Sequence, residues 1–178
     1  MERHERVAAV VAKFFHESRD INPYASADTM RALDQIIRNG LADQVARAAG
    51  AWRAIYQQQS RIVGTPTRDK PFASAEMMAV MREFKQRADA LSSLGSRVHA
   101  LPAPSNDRVF HRIRDNDQLL ELLIAMDYQL VGIAEAIEQL AAALTLANAK
   151  ELGVQFSLKV AELENLVRER GGLLSQVG

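Results

Sequence analysis

The chain has 178 residues, of which 48% are hydrophobic, so it is long enough to bury a sizeable core within one domain. It contains no cysteine, which excludes disulfides, thiolate metal sites and thiol chemistry. Its 22 basic and 22 acidic residues cancel, although residues 1–114 carry a net charge of +6 and residues 115–178 carry −6. We interpret this asymmetry as basic and acidic helices that pack side by side, because so few charges over so long a segment argue against a nucleic-acid-binding tail.

Two shorter helices are expected at the N-terminus. The first spans residues 2–18 and ends before Pro23, because the residue that precedes a proline avoids the helical region. The second spans about residues 28–39, and Gly40 fits the left-handed position that ends many helices. Residues 1–40 are therefore predicted to form a helical pair that packs on the rest of the protein.

Two longer helices follow, each bounded by a loop. The first of them spans residues 41–63 and ends at Gly64, and its apolar residues recur at alternating spacings of four and three. Residues 64–73 contain two prolines and are predicted to form a loop, after which Ser74 can cap the next helix. A second proline-containing loop is predicted at residues 100–106.

Ser105 or Asn106 can start the next helix, and a kink is expected at residues 115–117, beyond which the central helix carries the longest apolar stripe. Its members recur every three or four residues, as on a helix that is buried along its whole length: Leu119, Leu123, Met126, Leu130, Ile133, Ile137, Leu140, Leu144 and Ala147. The spacing fails beyond this stripe, so a turn is predicted within residues 148–156, at Asn148 or Gly153. One continuous helix through this region is the alternative.

A last helix is expected to end at Gly171-Gly172. Together these elements define the fold class as all-α, a single-domain helical bundle over residues 1–178 with four long helices plus two shorter N-terminal helices. Acidic residues within the most apolar region, residues 119–146, would be costly in a bilayer. No segment resembles a secretory signal, so we expect a cytoplasmic protein.

No residues stand at spacings typical of catalysis or metal binding. None of the four histidines follows a glutamate by three positions, as the ligands of carboxylate-bridged di-metal bundles do. The sequence contains no phosphate-binding glycine loop and no nucleophile elbow. We therefore expect no cofactor, no bound metal and no enzymatic activity.

The segment His16-Glu17-Ser18-Arg19-Asp20 resembles the H-box of sensor histidine kinases, in which a helical histidine is followed by glutamate, a variable residue and arginine. In that family the imidazole is transiently phosphorylated. The resemblance covers about five residues, and Ile21 stands where the family has a proline. Since no glycine-rich ATP-binding motif follows, the resemblance implies a passive phosphotransfer module with His16 as the phosphoacceptor.

Residues 41–56 resemble the helix-turn-helix of small bacterial repressors, in which an alanine packs against the second helix and a glycine makes the turn. Gly50 would then make the turn, and Arg47 and Arg53 would contact DNA. Trp52, however, stands where a small capping residue should begin the recognition helix. The alternative is a continuous helix that tolerates Gly50 and buries Trp52. We favour this alternative, which argues against nucleic-acid binding.

A second row of apolar residues runs beside the main stripe of the central helix. We predict that Leu120, Ile124 and Val131 on this row form an association surface, because so wide an apolar face suggests contacts on more than one side. The leading hypothesis is therefore a non-enzymatic helical protein that acts through protein–protein association. Its partner would be a second copy of the chain, in a homo-oligomer, or another helical protein.

Overall fold

The computed structural model describes residues 24–64, 68, 73–101 and 107–176, and within these residues the protein is all-α with no strand. The described helices are α1 (Ala27–Val63), α2 (Ala75–His99), α3 (Asp107–Arg114), α4 (Asp117–Ala143) and α5 (Ala149–Gln176). The prediction of four long helices plus two shorter N-terminal ones is therefore confirmed only in its all-helical character. The first predicted helix, residues 2–18, lies outside the described residues.

Helix α1 is a single helix of 37 residues, so the predicted helix end at Gly40 is wrong. It begins with a capping box in which the Ser26 hydroxyl accepts from the backbone N–H of Thr29, while the Thr29 hydroxyl oxygen accepts from the backbone N–H of Ser26. Gly40 is buried in the middle of the helix, where a glycine costs about 1 kcal/mol relative to alanine. Burial of the following Leu41 outweighs that cost. The end at Gly64, with a φ of 74°, is as predicted.

The predicted start of α2 is confirmed by its cap, whereas the kink expected at residues 115–117 is a complete break between two helices. The Ser74 hydroxyl accepts from the backbone N–H of Met77, and the Asn116 side chain accepts from that of Leu119. Asn116 thus begins a new helix at the position of the expected kink, since α3 ends just before it at Arg114. The predicted loops at residues 64–73 and 100–106 fall between described helices, and most of their residues lie outside the described part.

Residues 144–148 form a turn between α4 and α5, so the alternative of one long helix is wrong. The predicted window of residues 148–156 is correct only at Asn148, since residues 149–156 belong to α5 and the central helix ends before Leu144. Helix α4 ends at Ala143, and the Asn148 side chain closes the turn: its amide donates to the Ala143 carbonyl at 2.9 Å and its oxygen accepts from the Thr145 N–H at 2.8 Å. Of the two proposed turn residues, Asn148 is therefore the one used. Gly153 lies within α5.

The predicted helix end at Gly171-Gly172 is also wrong, because α5 continues through both glycines to Gln176. Leu173 and Leu174 are buried at 9% and 8% exposure. Their burial favours continuing the helix over the glycine preference for a helix end.

The five described helices contribute to one hydrophobic core. Helix α1 packs against α2 and α4, α5 packs against α4 and touches α2, and the short α3 covers α1 and α4. The most deeply buried large side chains are Trp52, Phe110, Phe156, Met30, Leu33, Ile113, Leu123, Leu130, Ile137, Leu163 and Val45. We still predict, rather than observe, that residues 1–178 form one domain and that residues 1–40 pack on the rest of it. No helix in the described part combines the length and apolarity needed to cross a bilayer.

Candidate functional site: a buried ionic cluster and an exposed ridge

A charged cluster lies inside the protein where α1, α4 and α5 meet. Arg170 of α5 is only 6% exposed, and its Nε donates to Asp127 Oδ1 at 2.7 Å. Its Nη1 donates to Asp34 Oδ1 at 2.5 Å. Because both aspartates are also buried, on α4 and α1, one guanidinium connects three helices.

Two further residues complete this arrangement, which we call the ionic cluster: Tyr24, Asp34, Arg38, Asp127 and Arg170. Arg38 donates from Nε to Asp34 Oδ2 at 3.0 Å, and from Nη1 to the carbonyl of Leu101 at 2.7 Å. The Tyr24 hydroxyl donates to Asp127 Oδ2 at 3.1 Å. Each carboxylate oxygen thus accepts a hydrogen bond, and two guanidinium groups balance two carboxylates.

Burial and charge act in opposite directions on the pKa values of the cluster. Burial raises the pKa of Asp127, against the lowering effect of the Arg170 guanidinium and the hydrogen bonds from Arg170 and Tyr24. Burial and the neighbouring Asp127 charge raise the pKa of Tyr24. For Arg170, burial would lower the pKa, but the charges of Asp127 and Asp34 raise it above its usual value. Arg170 therefore stays charged, and Tyr24 remains a hydrogen-bond donor.

The cluster is built to hold helices together, since the oxygens of both carboxylates are committed to internal donors. Removing one partner from a buried ion pair costs about 3–5 kcal/mol, so each member is required by the others. Elsewhere in the described residues, no group of three or more His, Asp or Glu side chains could hold a metal ion.

The sequence prediction missed the ionic cluster, although a signal for it is present. Each of Asp34, Asp127 and Arg170 occupies a position in an apolar stripe with spacings of three and four. The flanking stripe residues are Met30 and Ile37 for Asp34, Ile124 and Val131 for Asp127, and Leu166 and Leu173 for Arg170. A charged residue on the buried side of a helix indicates a buried partner elsewhere in the chain.

The favoured interpretation of residues 41–56 as a continuous helix is confirmed, because the whole segment lies within α1 without a turn at Gly50, and the helix-turn-helix alternative is wrong. Trp52 explains why the helix continues. Its ring is fully buried, 5.6 Å from the ring of Phe84 and 5.4 Å from that of Phe156, measured between centroids. Arg87 lies over the Trp52 ring at 5.0 Å in a cation–π contact. Trp52 thus anchors α1 to α2 and α5.

The structure places the two candidate DNA-contacting arginines on neighbouring helices. Arg47 forms an ion pair with Glu138 of α4, with Nη2 and Oε1 separated by 2.9 Å. Arg53 donates to the hydroxyl of Ser92 on α2. Both side chains therefore contribute to contacts within the protein. Because α1 has no turn here, the two arginines do not lie on a separate recognition helix. His16, the candidate phosphoacceptor, lies outside the described residues.

The predicted association surface on α4 is also wrong. Ile124 and Val131 are buried at 6% and 7% exposure, and Leu120 is half-buried against the core. Since α1, α3 and α5 all pack against α4, most of its wide apolar face is covered within the chain.

Two of the most exposed large apolar side chains in the described residues lie together on α5 instead. Val154 is 60% exposed and Leu158 is 66% exposed, one helical turn apart. They belong to a row of exposed residues that we call the α5 ridge: Glu151, Val154, Leu158, Ala161, Asn165 and Arg168. Beside this ridge, α4 and α5 enclose an open groove of about 400 Å³, lined by Ala136, Leu140, Ala143 and Leu158 with the polar Gln139, Gln155 and Lys159.

Comparison of the chain with known protein families, with curated proteins and with solved structures found no match.

Proposed function

We propose that this chain is a non-enzymatic, single-domain helical bundle that functions through protein–protein association, and that it associates with a second copy through the α5 ridge. The observation that carries the proposal is the exposed Val154–Leu158 pair beside the apolar groove. Large apolar side chains that lie together on a surface next to an apolar groove are typical of interaction sites.

The spacing of the ridge favours a helix as its partner. Its six residues follow one another at alternating intervals of three and four, as along the seam of a coiled coil. A second α5 helix would offer the same spacing and would cover the apolar centre of the ridge. An isologous contact of this kind needs no other protein, because the surface is present on every copy.

The strength of this association can be bounded from the residues involved. Val154 and Leu158 are already partly covered, so burying their exposed 60% and 66% in two copies gives a gross gain of about 4–8 kcal/mol, at about 1.5–3 kcal/mol per complete side chain. Association costs about 4–15 kcal/mol in lost freedom of motion. At the favourable limit the gain exceeds the cost by about 4 kcal/mol, which corresponds to a dissociation constant of about 1 mM. We therefore expect a weak dimer that is partly formed at high protein concentration and dissociates on dilution.

Analytical ultracentrifugation over a concentration series tests the proposal. The wild-type chain should change from monomer to dimer, and Leu158→Asp should remain a monomer because a carboxylate cannot be buried there without a partner. Ile62→Asp is the matched control, since Ile62 is an apolar residue as exposed as Val154, at 60%, and lies on α1, which contributes no residue to the groove. A wild-type chain that stays monomeric at several hundred micromolar, or equal effects of the two substitutions, would refute the proposal.

A further inference from the structure

We propose that the two copies meet with their α5 helices antiparallel, in one register that places Glu151 of each copy opposite Arg168 of the other. This inference rests on the self-association proposed above and specifies how the two ridges meet. It identifies the residues that determine the orientation of the dimer.

The register follows from the order of residues along the ridge. When two α5 helices run antiparallel about a two-fold axis between Lys159 and Val160, Leu158 faces Ala161 of the second copy and Val154 faces Asn165. The small side chain of Ala161 leaves space for the leucine, as a hole does for a knob in helix packing. Leu158 of each ridge thus packs on Ala161 of the other, and Val154 packs on the Asn165 side chain.

The same register brings opposite charges together at both ends of the contact. Glu151 faces Arg168 of the second copy, and Lys150 faces Glu169, all four of these residues being exposed. Two-fold symmetry repeats both pairs. Lys159 and Glu162, near the axis, already form an ion pair within each chain at 2.7 Å. The charged residues of two antiparallel α5 helices are therefore complementary in this register without rearrangement of either chain.

A parallel arrangement would bring like charges together instead. In that orientation Glu151 would face Glu151 and Arg168 would face Arg168 of the second copy, and such contacts disfavour a pairing. Charge thus selects the antiparallel orientation, while the apolar centre supplies the affinity.

Engineered cysteines can measure the orientation directly, because the chain has none of its own. A mixture of Val154→Cys and Asn165→Cys chains should form a disulfide-linked heterodimer on mild oxidation. Val154→Cys alone should not crosslink, because the two copies of this position lie about 16 Å apart along antiparallel helices and a disulfide spans about 7 Å between Cα atoms. Both substitutions leave the four charged residues in place.

Charge exchange gives an independent measurement. Glu151→Arg alone or Arg168→Glu alone should raise the dissociation constant of the dimer about tenfold, because each change turns two attractive pairs into repulsive ones. The double variant Glu151→Arg/Arg168→Glu restores opposite charges and should recover the wild-type value to within about threefold.

The possible outcomes separate this inference from the proposed function. If the wild type dimerises in the ultracentrifuge but Val154→Cys crosslinks to itself, the ridge associates and the antiparallel register is wrong. The register is equally wrong if the dimer forms and the double charge variant shows no recovery. If the wild type does not dimerise at all, the proposed function itself is wrong.

Discussion

Replacing Arg170 with glutamine would test the role of the ionic cluster. The substitution removes the only cation that contacts both Asp34 and Asp127 among the described residues. Asp34 would keep its ion pair with Arg38, but Asp127 would keep only the neutral Tyr24 hydroxyl. Because Asp127 has 0% exposure, water cannot replace the lost partner. We expect a loss of about 3–5 kcal/mol in the free energy of unfolding, a large share of the roughly 5–15 kcal/mol that a typical domain has.

Urea unfolding provides the measurement, because Trp52 is the single tryptophan and is fully buried. Its fluorescence should report the transition, and the midpoint of Arg170→Gln should fall well below that of the wild type. Arg47→Gln is the matched control, since Arg47 forms an exposed ion pair with Glu138 that contributes about 1 kcal/mol or less. If Arg170→Gln costs no more than Arg47→Gln, the ionic cluster does not stabilise the fold as argued.

The pH dependence of the same variant gives a second check. Burial already raises the pKa of Asp127, and loss of the neighbouring cation should raise it further. A carboxyl group with a raised pKa in the folded state contributes stability below its unfolded-state pKa and loses it as the pH rises through the folded-state value. The difference in stability between the wild type and Arg170→Gln should therefore widen as the pH rises above the usual pKa of an aspartate side chain. Adding Asp127→Asn to this variant should reduce that difference in stability, because the buried side chain at position 127 is then neutral at every pH.

Three further substitutions give defined expectations for urea unfolding followed by circular dichroism. Gly50→Ala should stabilise the protein by about 0.5–1 kcal/mol, because Gly50 is an exposed helical residue with open space around an added Cβ. Destabilisation by this substitution would instead support a turn at Gly50. Gly64→Ala should destabilise it by about 1 kcal/mol, because Gly64 has a φ of 74°, and an unchanged midpoint would contradict that backbone conformation. Phe156→Ala should cost about 3–5 kcal/mol through the cavity left beside Trp52, and a loss below 1 kcal/mol would contradict this packing.

The start of α2 and the end of α1 were predictable from the sequence because their signals are local. Ser74 accepts a hydrogen bond from the first turn of its own helix, and Gly64 adopts a conformation that favours glycine. The expected ends at Gly40 and at Gly171 failed for a different reason. A glycine ends a helix only when a continued helix would not bury the apolar side chains beyond the glycine. That burial depends on tertiary contacts.

The candidate sites could be predicted only in part. Periodicity reveals that a helix has apolar residues on two sides, but it does not reveal which side faces the core. We therefore placed the association surface on Ile124 and Val131, which are buried, and overlooked Leu158, which is exposed. Similarly, Asp34 and Arg170 are separated by 136 positions, so their pairing depends on how α1 and α5 pack.

The ionic cluster and the α5 ridge lie on different sides of the same helix, and this has a structural consequence. Apolar contacts between helices tolerate sliding, because a leucine one turn away can replace another. If α5 slid by one turn, Arg170 would move about 5.4 Å away from both buried carboxylates, at the cost of breaking a buried ion pair. The cluster therefore selects one position of α5 against α1 and α4. That position determines where Leu158 borders the groove on α4, so we infer that the buried charges define the surface through which two copies would meet.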